Sequence, residues 1–236
     1  MVNEENVFFY VEDLKIEAKL SYDEEIFSGP GIVLCPPHPQ LGGDMENNLI
    51  VALHGYAASN GFISMRFNYR GVGKSELPKE DLKQIEDIKS FWEYSCSPLD
   101  EKRVDDVLGA VQYLKEVQGA NQNGIFLIGY SFGAYVALKA ACIEREMSAL
   151  VLISPTIHFH DFTKLIQLPI PKLIVSSDND FSYSMDQLNS LYGSLGSPKS
   201  LKVFSGADHF FIEREREVSI YVTDFMSNYC EKKEIQ

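Results

Sequence analysis

Short apolar runs alternate along the chain with segments whose apolar residues recur at helical spacing. Val104, Val107 and Val111 show this spacing and predict a helix with one apolar face over residues 103–116. Because β-rich runs and helices follow one another in turn, the pattern favours an α/β fold built on a mostly parallel sheet.

The pattern predicts about eight strands and five principal helices. The predicted strands are residues 7–11, 16–22, 31–35, 63–68, 125–128, 150–153, 172–176 and 200–204. The predicted helices are residues 45–58, 103–116, 132–145, 185–192 and 213–229. The first two strands are expected to form an antiparallel pair, and helices are expected on both faces of the sheet.

Composition and charge narrow the class of protein. The 236 residues contain no repeat and no Pro/Gly-rich linker, which predicts a single domain over residues 1–236. With 34 acidic and 21 basic residues the net charge is −13, which argues against nucleic acid as a partner. The four cysteines are widely spaced, and neither a secretion signal nor a membrane-spanning stretch is evident. We therefore expect a cytoplasmic protein without membrane insertion.

The strongest chemical signal is Gly129-Tyr130-Ser131-Phe132-Gly133, a G-x-S-x-G motif between a predicted strand and a predicted helix. A serine on such a strand-to-helix turn projects its hydroxyl from the sheet edge, and the flanking glycines allow neighbouring backbone to approach. Ser131 is therefore the candidate nucleophile.

A serine nucleophile needs a base and an orienting carboxylate, and both follow later in the chain. Asp178 and Asp180 lie just after the strand that begins at Lys172, and His209 lies in the loop after the last predicted strand. The order serine, aspartate, histidine is the order expected for this architecture.

These residues resemble the α/β-hydrolase superfamily over nearly the whole chain. Pro37-His38-Pro39 with Gly42-Gly43, followed by residues 66–75, is similar to small hydrolases without a cap domain, of the dienelactone hydrolase or acyl esterase type. The resemblance implies the α/β-hydrolase fold, with Ser131 as nucleophile and His209 as base. It also implies an acid three residues after a small strand-end residue, which selects Asp180 and leaves Asp178 as the alternative.

The tetrahedral intermediate of acyl transfer needs two hydrogen-bond donors. One is expected to be the backbone N–H of Phe132, and the other an N–H of the loop 36–43. Since Pro39 has no N–H, Gln40 is the first choice and Leu41 the second. His38 is expected to brace this loop.

Two long connections, residues 76–100 and 154–171, carry aromatic side chains. They either cover the site or pack against the body of the protein, and segment 76–100 is a candidate lid. The residues expected to contact substrate are Leu41, Trp92, Phe159 and Phe181.

Three further histidines and Arg70 are not expected to take part in the reaction. His158 and His160 form an H-x-H pattern without an evident third ligand, so no metal and no cofactor are expected. His54 is interpreted as a surface or interface residue of its helix, and Arg70 as a residue that anchors its turn by hydrogen bonds to backbone carbonyls.

The sequence thus predicts a serine hydrolase that cleaves an ester or related acyl bond of a small molecule. A serine peptidase or thioesterase with the same triad remains an alternative, because pocket shape sets the leaving group. A non-catalytic binding protein on this fold is the alternative from another class.

Overall fold

The computed structural model describes residues 1–25, 29–81, 98–117 and 124–234. The strands are β1 (Val2–Val11), β2 (Leu14–Asp23), β3 (Gly31–Cys35), β4 (Ile63–Phe67), β5 (Ile125–Tyr130), β6 (Met147–Ile153), β7 (Lys172–Asn179) and β8 (Lys199–Asp208). They form one sheet in the order β1-β2-β4-β3-β5-β6-β7-β8. β2 is antiparallel to its neighbours β1 and β4, and the other pairs are parallel.

Helices cover both faces of this sheet, as the sequence predicts. They are α1 (Asn48–Ala58), α2 (Pro98–Glu116), α3 (Phe132–Ile143), α4 (Met185–Ser194) and α5 (Glu215–Glu234). Apolar residues of α2, α3 and α4 form one core cluster with the sheet, and those of α1 and α5 form the other. Because β3, β5, β6, β7 and β8 are parallel, their carboxyl ends meet at one edge, where α/β folds bind ligands.

Helix α1 begins later than the pattern predicts, at Asn48 instead of Met45. The Asn47 side chain accepts hydrogen bonds from the backbone N–H groups of Leu49 and Ile50, at 3.1 and 3.4 Å. An asparagine that accepts these bonds is an N-cap, so the helix cannot extend further back.

His54 is not a surface residue, and this interpretation of the sequence is wrong. Its side chain is 2% exposed, its Nδ1 lies 3.0 Å from Ser64 Oγ, and its Nε2 lies 3.4 Å from Glu4 Oε2. Because α1 is packed between the sheet and α5, a polar side chain on its inner face must find partners on the strands.

Arg70 anchors its turn as expected, but the expected acceptors, backbone carbonyls, are wrong. Its Nε and Nη2 donate to Asp106 Oδ1 at 2.9 and 2.7 Å, and its backbone N–H donates to Asp106 Oδ2. Helix α2 brings this carboxylate under the turn, and a charged acceptor binds a guanidinium more strongly than a carbonyl does. Arg70 therefore ties its turn to α2.

The candidate lid falls mostly outside the described residues. Of segment 76–100, residues 82–97 are not described, and Trp92 is among them. The lid and the contact between Trp92 and substrate therefore remain predictions.

Candidate active site

Ser131 occupies the sharp turn between β5 and α3. Its backbone has φ 57° and ψ −119°, a conformation that L-residues rarely adopt. A Cβ on Gly129 would lie 2.2 Å from the carbonyl oxygen of Gly133, and a Cβ on Gly133 would lie 2.1 Å from that of Cys35. The two glycines of the motif are therefore required for the close approach of α3 to β5 and β3.

Three of the predicted residues lie together at the sheet edge. Ser131 Oγ is 2.9 Å from His209 Nε2, and His209 Nδ1 is 2.8 Å from Asp180 Oδ1. The side chain of His209 is 4% exposed and that of Asp180 is fully buried. Serine, imidazole and carboxylate thus form one continuous hydrogen-bonded chain.

The electrostatics of Asp180 favour its ionised form. Burial raises the pKa of this carboxyl. Hydrogen bonds from His209 and Ser182 lower the pKa by more than burial raises it, so it lies below the usual value. An ionised Asp180 holds the proton of the imidazole on Nδ1 and leaves Nε2 free to accept a proton from Ser131.

The structure does not bring Asp178 to the histidine. Asp178 is exposed, and its carboxylate accepts hydrogen bonds from Ser205 Oγ at 2.7 Å and from Gly206 N–H at 2.8 Å. It therefore joins the ends of β7 and β8.

Two residues that contact this site, Ser182 and Tyr130, are not predicted by the sequence. Ser182 donates to Asp180 Oδ1 through its hydroxyl at 2.7 Å and through its N–H at 2.8 Å. The Tyr130 hydroxyl donates to the backbone carbonyl of His209 at 3.0 Å. Tyr130 occupies a variable position of the G-x-S-x-G motif, and Ser182 lies two residues after the acid, so no motif marks either of them.

A cavity of about 260 Å³ opens beside Ser131. Its walls are mostly apolar, and none of its described lining residues is Lys, Arg, Asp or Glu; they are Pro37, His38, Leu41, Gly42, Gly43, Asn47, Tyr130, Ser131, Phe181, His209 and Phe210. The ring of Phe181 lies 4.4 Å from that of His209, centre to centre. Leu41 and Phe181 therefore lie where the sequence predicts substrate contacts.

Phe159 is not brought to this cavity, which corrects its expected role. It lies in the turn after β6, where its N–H donates to the carbonyl of Thr156, and its ring lies 5.7 Å from that of His158. The turn thus directs the ring to its sequence neighbour instead of to the cavity lining.

Gln40 does not lie on the cavity wall either, and its N–H is engaged elsewhere. The N–H donates to His38 Nδ1 at 3.3 Å, and the side-chain oxygen accepts from Arg103 at 3.0 Å. The N–H groups of Leu41 and Gly43 donate to the His38 carbonyl, and that of Gly42 donates to the Pro39 carbonyl. Both choices made from the sequence are therefore poor donors, because their N–H groups close the short 3₁₀ turn Pro39–Leu41.

His160, the second histidine of the H-x-H pattern, contacts other side chains of the protein. His160 Nδ1 lies 2.8 Å from Thr156 Oγ1, and the His160 ring stacks on Tyr135 at 4.3 Å. Across the described ranges, no group of three or more His, Cys, Asp and Glu side chains could hold a metal ion. The same ranges contain no helix with the length and apolarity to cross a membrane.

Comparison with known proteins shows the family of the chain. The model of the dienelactone hydrolase family matches residues 50–233. An uncharacterized protein of Rickettsia prowazekii is 30% identical over 216 residues, which cover 86% of this chain and 82% of the relative.

Solved structures show the same fold. An α/β serine hydrolase homologue from Coxiella burnetii is 26% identical with a TM-score of 0.75, over 93% of this chain and 96% of that one. A lidless α/β serine hydrolase from Xanthomonas campestris is 18% identical with a TM-score of 0.76, over 96% and 95% of the two chains. The resemblance found in the sequence is confirmed: the chain belongs to the dienelactone hydrolase family and is a hydrolase with the α/β-hydrolase fold.

Proposed function

We propose that this hydrolase cleaves an ester or related acyl bond of a small, uncharged substrate through an acyl-enzyme on Ser131. The observation that carries the proposal is the hydrogen-bonded chain from Ser131 Oγ through His209 to Asp180, at the wall of an apolar cavity. A strained serine next to a base and a buried carboxylate is the arrangement that activates a hydroxyl.

The reaction then runs in two halves. Ser131 Oγ attacks the carbonyl carbon of the substrate while His209 Nε2 takes the hydroxyl proton. Collapse of the tetrahedral intermediate breaks the bond to the leaving group, which receives that proton from His209. A water molecule, deprotonated by His209, then attacks the acyl carbon and forms a second tetrahedral intermediate. Its collapse breaks the bond to Ser131 Oγ, which takes the proton back from His209, and releases the acid. Asp180 stabilises the imidazolium in both halves.

Backbone N–H groups of Phe132 and His38 are the proposed donors to the oxyanion. Phe132 is the first residue of α3, so its N–H has no acceptor within the helix. In the loop 36–43 the prolines lack an N–H, and those from Gln40 to Gly43 donate within the loop. Of the N–H groups in this loop, only that of His38 has no acceptor among the described contacts. His38 also lines the cavity beside Ser131. His38 therefore replaces Gln40 in the proposal.

The cavity also supports a choice of substrate class. With no charged Lys, Arg, Asp or Glu side chain among its described lining residues, a buried carboxylate on the acyl group would have no counter-ion. Leu41, Phe181 and Phe210 are partly exposed at its rim and offer apolar surface to the substrate. These features favour a neutral acyl group.

A fluorophosphonate probe tests the proposal. Mass spectrometry of the labelled protein should find one adduct, on Ser131, and Ser131→Ala should give none. The same variant should lose several orders of magnitude in kcat on p-nitrophenyl esters, with an unchanged melting temperature, because only the attacking oxygen is removed. Activity of Ser131→Ala within about tenfold of wild type would exclude Ser131 as the nucleophile.

The leaving-group class needs a second comparison. Oxoesters, thioesters and anilides of the same acyl group separate an esterase from a thioesterase and a peptidase. We expect the highest kcat/KM for the oxoester.

A further inference from the structure

Three polar side chains lie buried next to Phe132 and take no part in the reaction proposed above. The exposed fractions of His38, Asp100 and Arg103 are 3%, 3% and 1%. The ring of His38 meets that of Phe132 edge-on at 4.5 Å, and the guanidinium carbon of Arg103 lies 5.9 Å from the centre of the same ring. His38 and Arg103 thus contact the residue that follows the nucleophile, and Asp100 lies against both of them.

Together with Gln40 they form a closed ring of polar contacts. His38 Nε2 lies 3.2 Å from Asp100 Oδ1, and Asp100 forms an ion pair with Arg103. Arg103 donates to the side-chain oxygen of Gln40 at 3.0 Å, and the backbone N–H of Gln40 donates back to His38 Nδ1 at 3.3 Å. This cycle of four polar contacts joins the loop after β3 to the first turns of α2.

The contact with the backbone N–H of Gln40 indicates how the His38 ring is oriented. Since Nδ1 accepts the N–H of Gln40, that nitrogen carries no proton, and the proton of the neutral ring is on Nε2, facing Asp100. The imidazole therefore accepts a hydrogen bond from its own loop through Nδ1, and its Nε2 approaches Asp100 at 3.2 Å without the alignment of a hydrogen bond.

Burial of such a charged pair is costly for stability. Desolvation lowers the pKa of the Arg103 guanidinium, and the charge of Asp100 opposes this shift. A buried ion pair is often no more stabilising than apolar residues of the same volume, so stability alone does not account for it.

We propose that His38, Asp100 and Arg103 are positioning residues, which hold the His38 main-chain N–H at a fixed place beside the N–H of Phe132. This inference rests on the proposed serine mechanism, since only an oxyanion at Ser131 uses the two donors. The imidazole fixes the residue that carries one donor, and its contact with the Phe132 ring fixes it relative to the other. The contacts thereby fix the positions of the two donors. This affects stabilisation of the oxyanion in the transition state more than it affects binding of the substrate.

Asp100→Asn tests the proposal, because it keeps the size of the side chain and removes its charge. Asp105→Asn is the matched control, since Asp105 is an exposed residue of the same helix. His38→Asn is the second variant: it keeps an acceptor for the N–H of Gln40 and leaves the pair of Asp100 and Arg103 intact, but it is too short to reach Asp100.

The measurements are kcat and KM on a p-nitrophenyl ester, and the inhibition constant of a trifluoromethyl ketone with the same acyl group. The ketone forms a hemiketal with a serine nucleophile, and its oxyanion reports on the two donors. In Asp100→Asn and His38→Asn we expect kcat to fall about tenfold to hundredfold and the inhibition constant to rise by a similar factor, with KM within about threefold. Asp105→Asn should match the wild type.

Each outcome is decisive. Unchanged kcat and ketone inhibition in folded Asp100→Asn or His38→Asn would overturn the positioning role alone. Variants that lose activity only in proportion to lost folded protein, measured by thermal unfolding, would assign these residues to stability and also overturn it. A wild-type protein that neither hydrolyses esters nor takes the fluorophosphonate label would overturn the proposed function, and this inference with it.

Discussion

At the scale of single residues, two aspartates two positions apart have different surroundings. Asp180 is buried against His209, whereas Asp178 is exposed and joins the ends of β7 and β8. The pairing of β7 with β8 is irregular between Ser177 and Asn179. A bulge of this kind breaks the regular alternation of side chains, so the sequence alone leaves both aspartates open as the acid.

Asp180→Asn and Asp178→Asn should therefore have different consequences. Loss of the Asp180 carboxylate removes the partner of His209 Nδ1, and we expect a decrease in kcat on the order of 10⁴. Asp178→Asn should keep kcat and lower the melting temperature slightly, because it weakens the contact between the ends of β7 and β8. Steady-state kinetics and thermal unfolding of both variants check this. Inactive Asp178→Asn with active Asp180→Asn would contradict the assignment.

The oxyanion donor shows a second limit of sequence reasoning. The sequence predicts that loop 36–43 supplies a donor, and the absence of an N–H on Pro39 excludes that residue. The N–H of Gln40 is engaged by the His38 ring, and this contact depends on a turn that no spacing rule specifies. Residue types identify the candidate donors, but only the path of the backbone shows which N–H is free.

At the scale of elements, the periodicity predicts the strands and helices well, and differences concentrate where a partner is distant in sequence. The start of α1 depends on a local cap, but the burial of His54 depends on Glu4 of β1 and Ser64 of β4. An apolar stripe identifies the inner face of a helix and cannot show that a strand supplies a polar partner there.

His54 should make stability depend on pH. Burial, together with the nearby charges of Arg66 and Lys19, lowers the pKa of His54 to about 3, although Glu4 acts in the opposite direction. Between that value and the ordinary one of 6.5, only the unfolded chain binds the proton at this position, so stability falls as pH decreases through this window. The expected slope is at most about 1.4 kcal/mol per pH unit.

Urea unfolding of His54→Gln at about pH 7 and about pH 5 tests this dependence. The variant should lose less free energy of unfolding on acidification than the wild type does. His158→Gln, at an exposed histidine, is the control and should keep the wild-type slope. Equal slopes in all three proteins would show that His54 does not contribute.

At the scale of the whole molecule, net charge and cavity lining both support the proposed neutral substrate. The net charge of −13 repels anions at a distance, and the cavity has no cationic Lys or Arg side chain among its described lining residues. Composition gives the net charge of the chain, but the absence of Lys, Arg, Asp and Glu from the described cavity lining becomes visible only in the fold.

A neutral and an anionic ester of equal acyl length should therefore react at different rates. We expect kcat/KM for p-nitrophenyl butyrate to exceed that for the p-nitrophenyl monoester of succinate by about tenfold or more, because the second buries an unpaired carboxylate. Added salt should narrow the part of the difference that arises from long-range repulsion. Equal values at low salt would contradict the neutral substrate class.

The contact between Gly133 and the end of β3 has a consequence for how this enzyme can change. A Cβ on Gly133 would lie 2.1 Å from the Cys35 carbonyl oxygen, so the first turn of α3 rests directly on the main chain of the strand. Spacing maintained by touching backbone atoms does not depend on any side-chain rotamer. We therefore expect that a residue at the cavity rim such as Leu41 can be exchanged, and a different substrate accepted, without altering the spacing between Ser131 and the loop after β3.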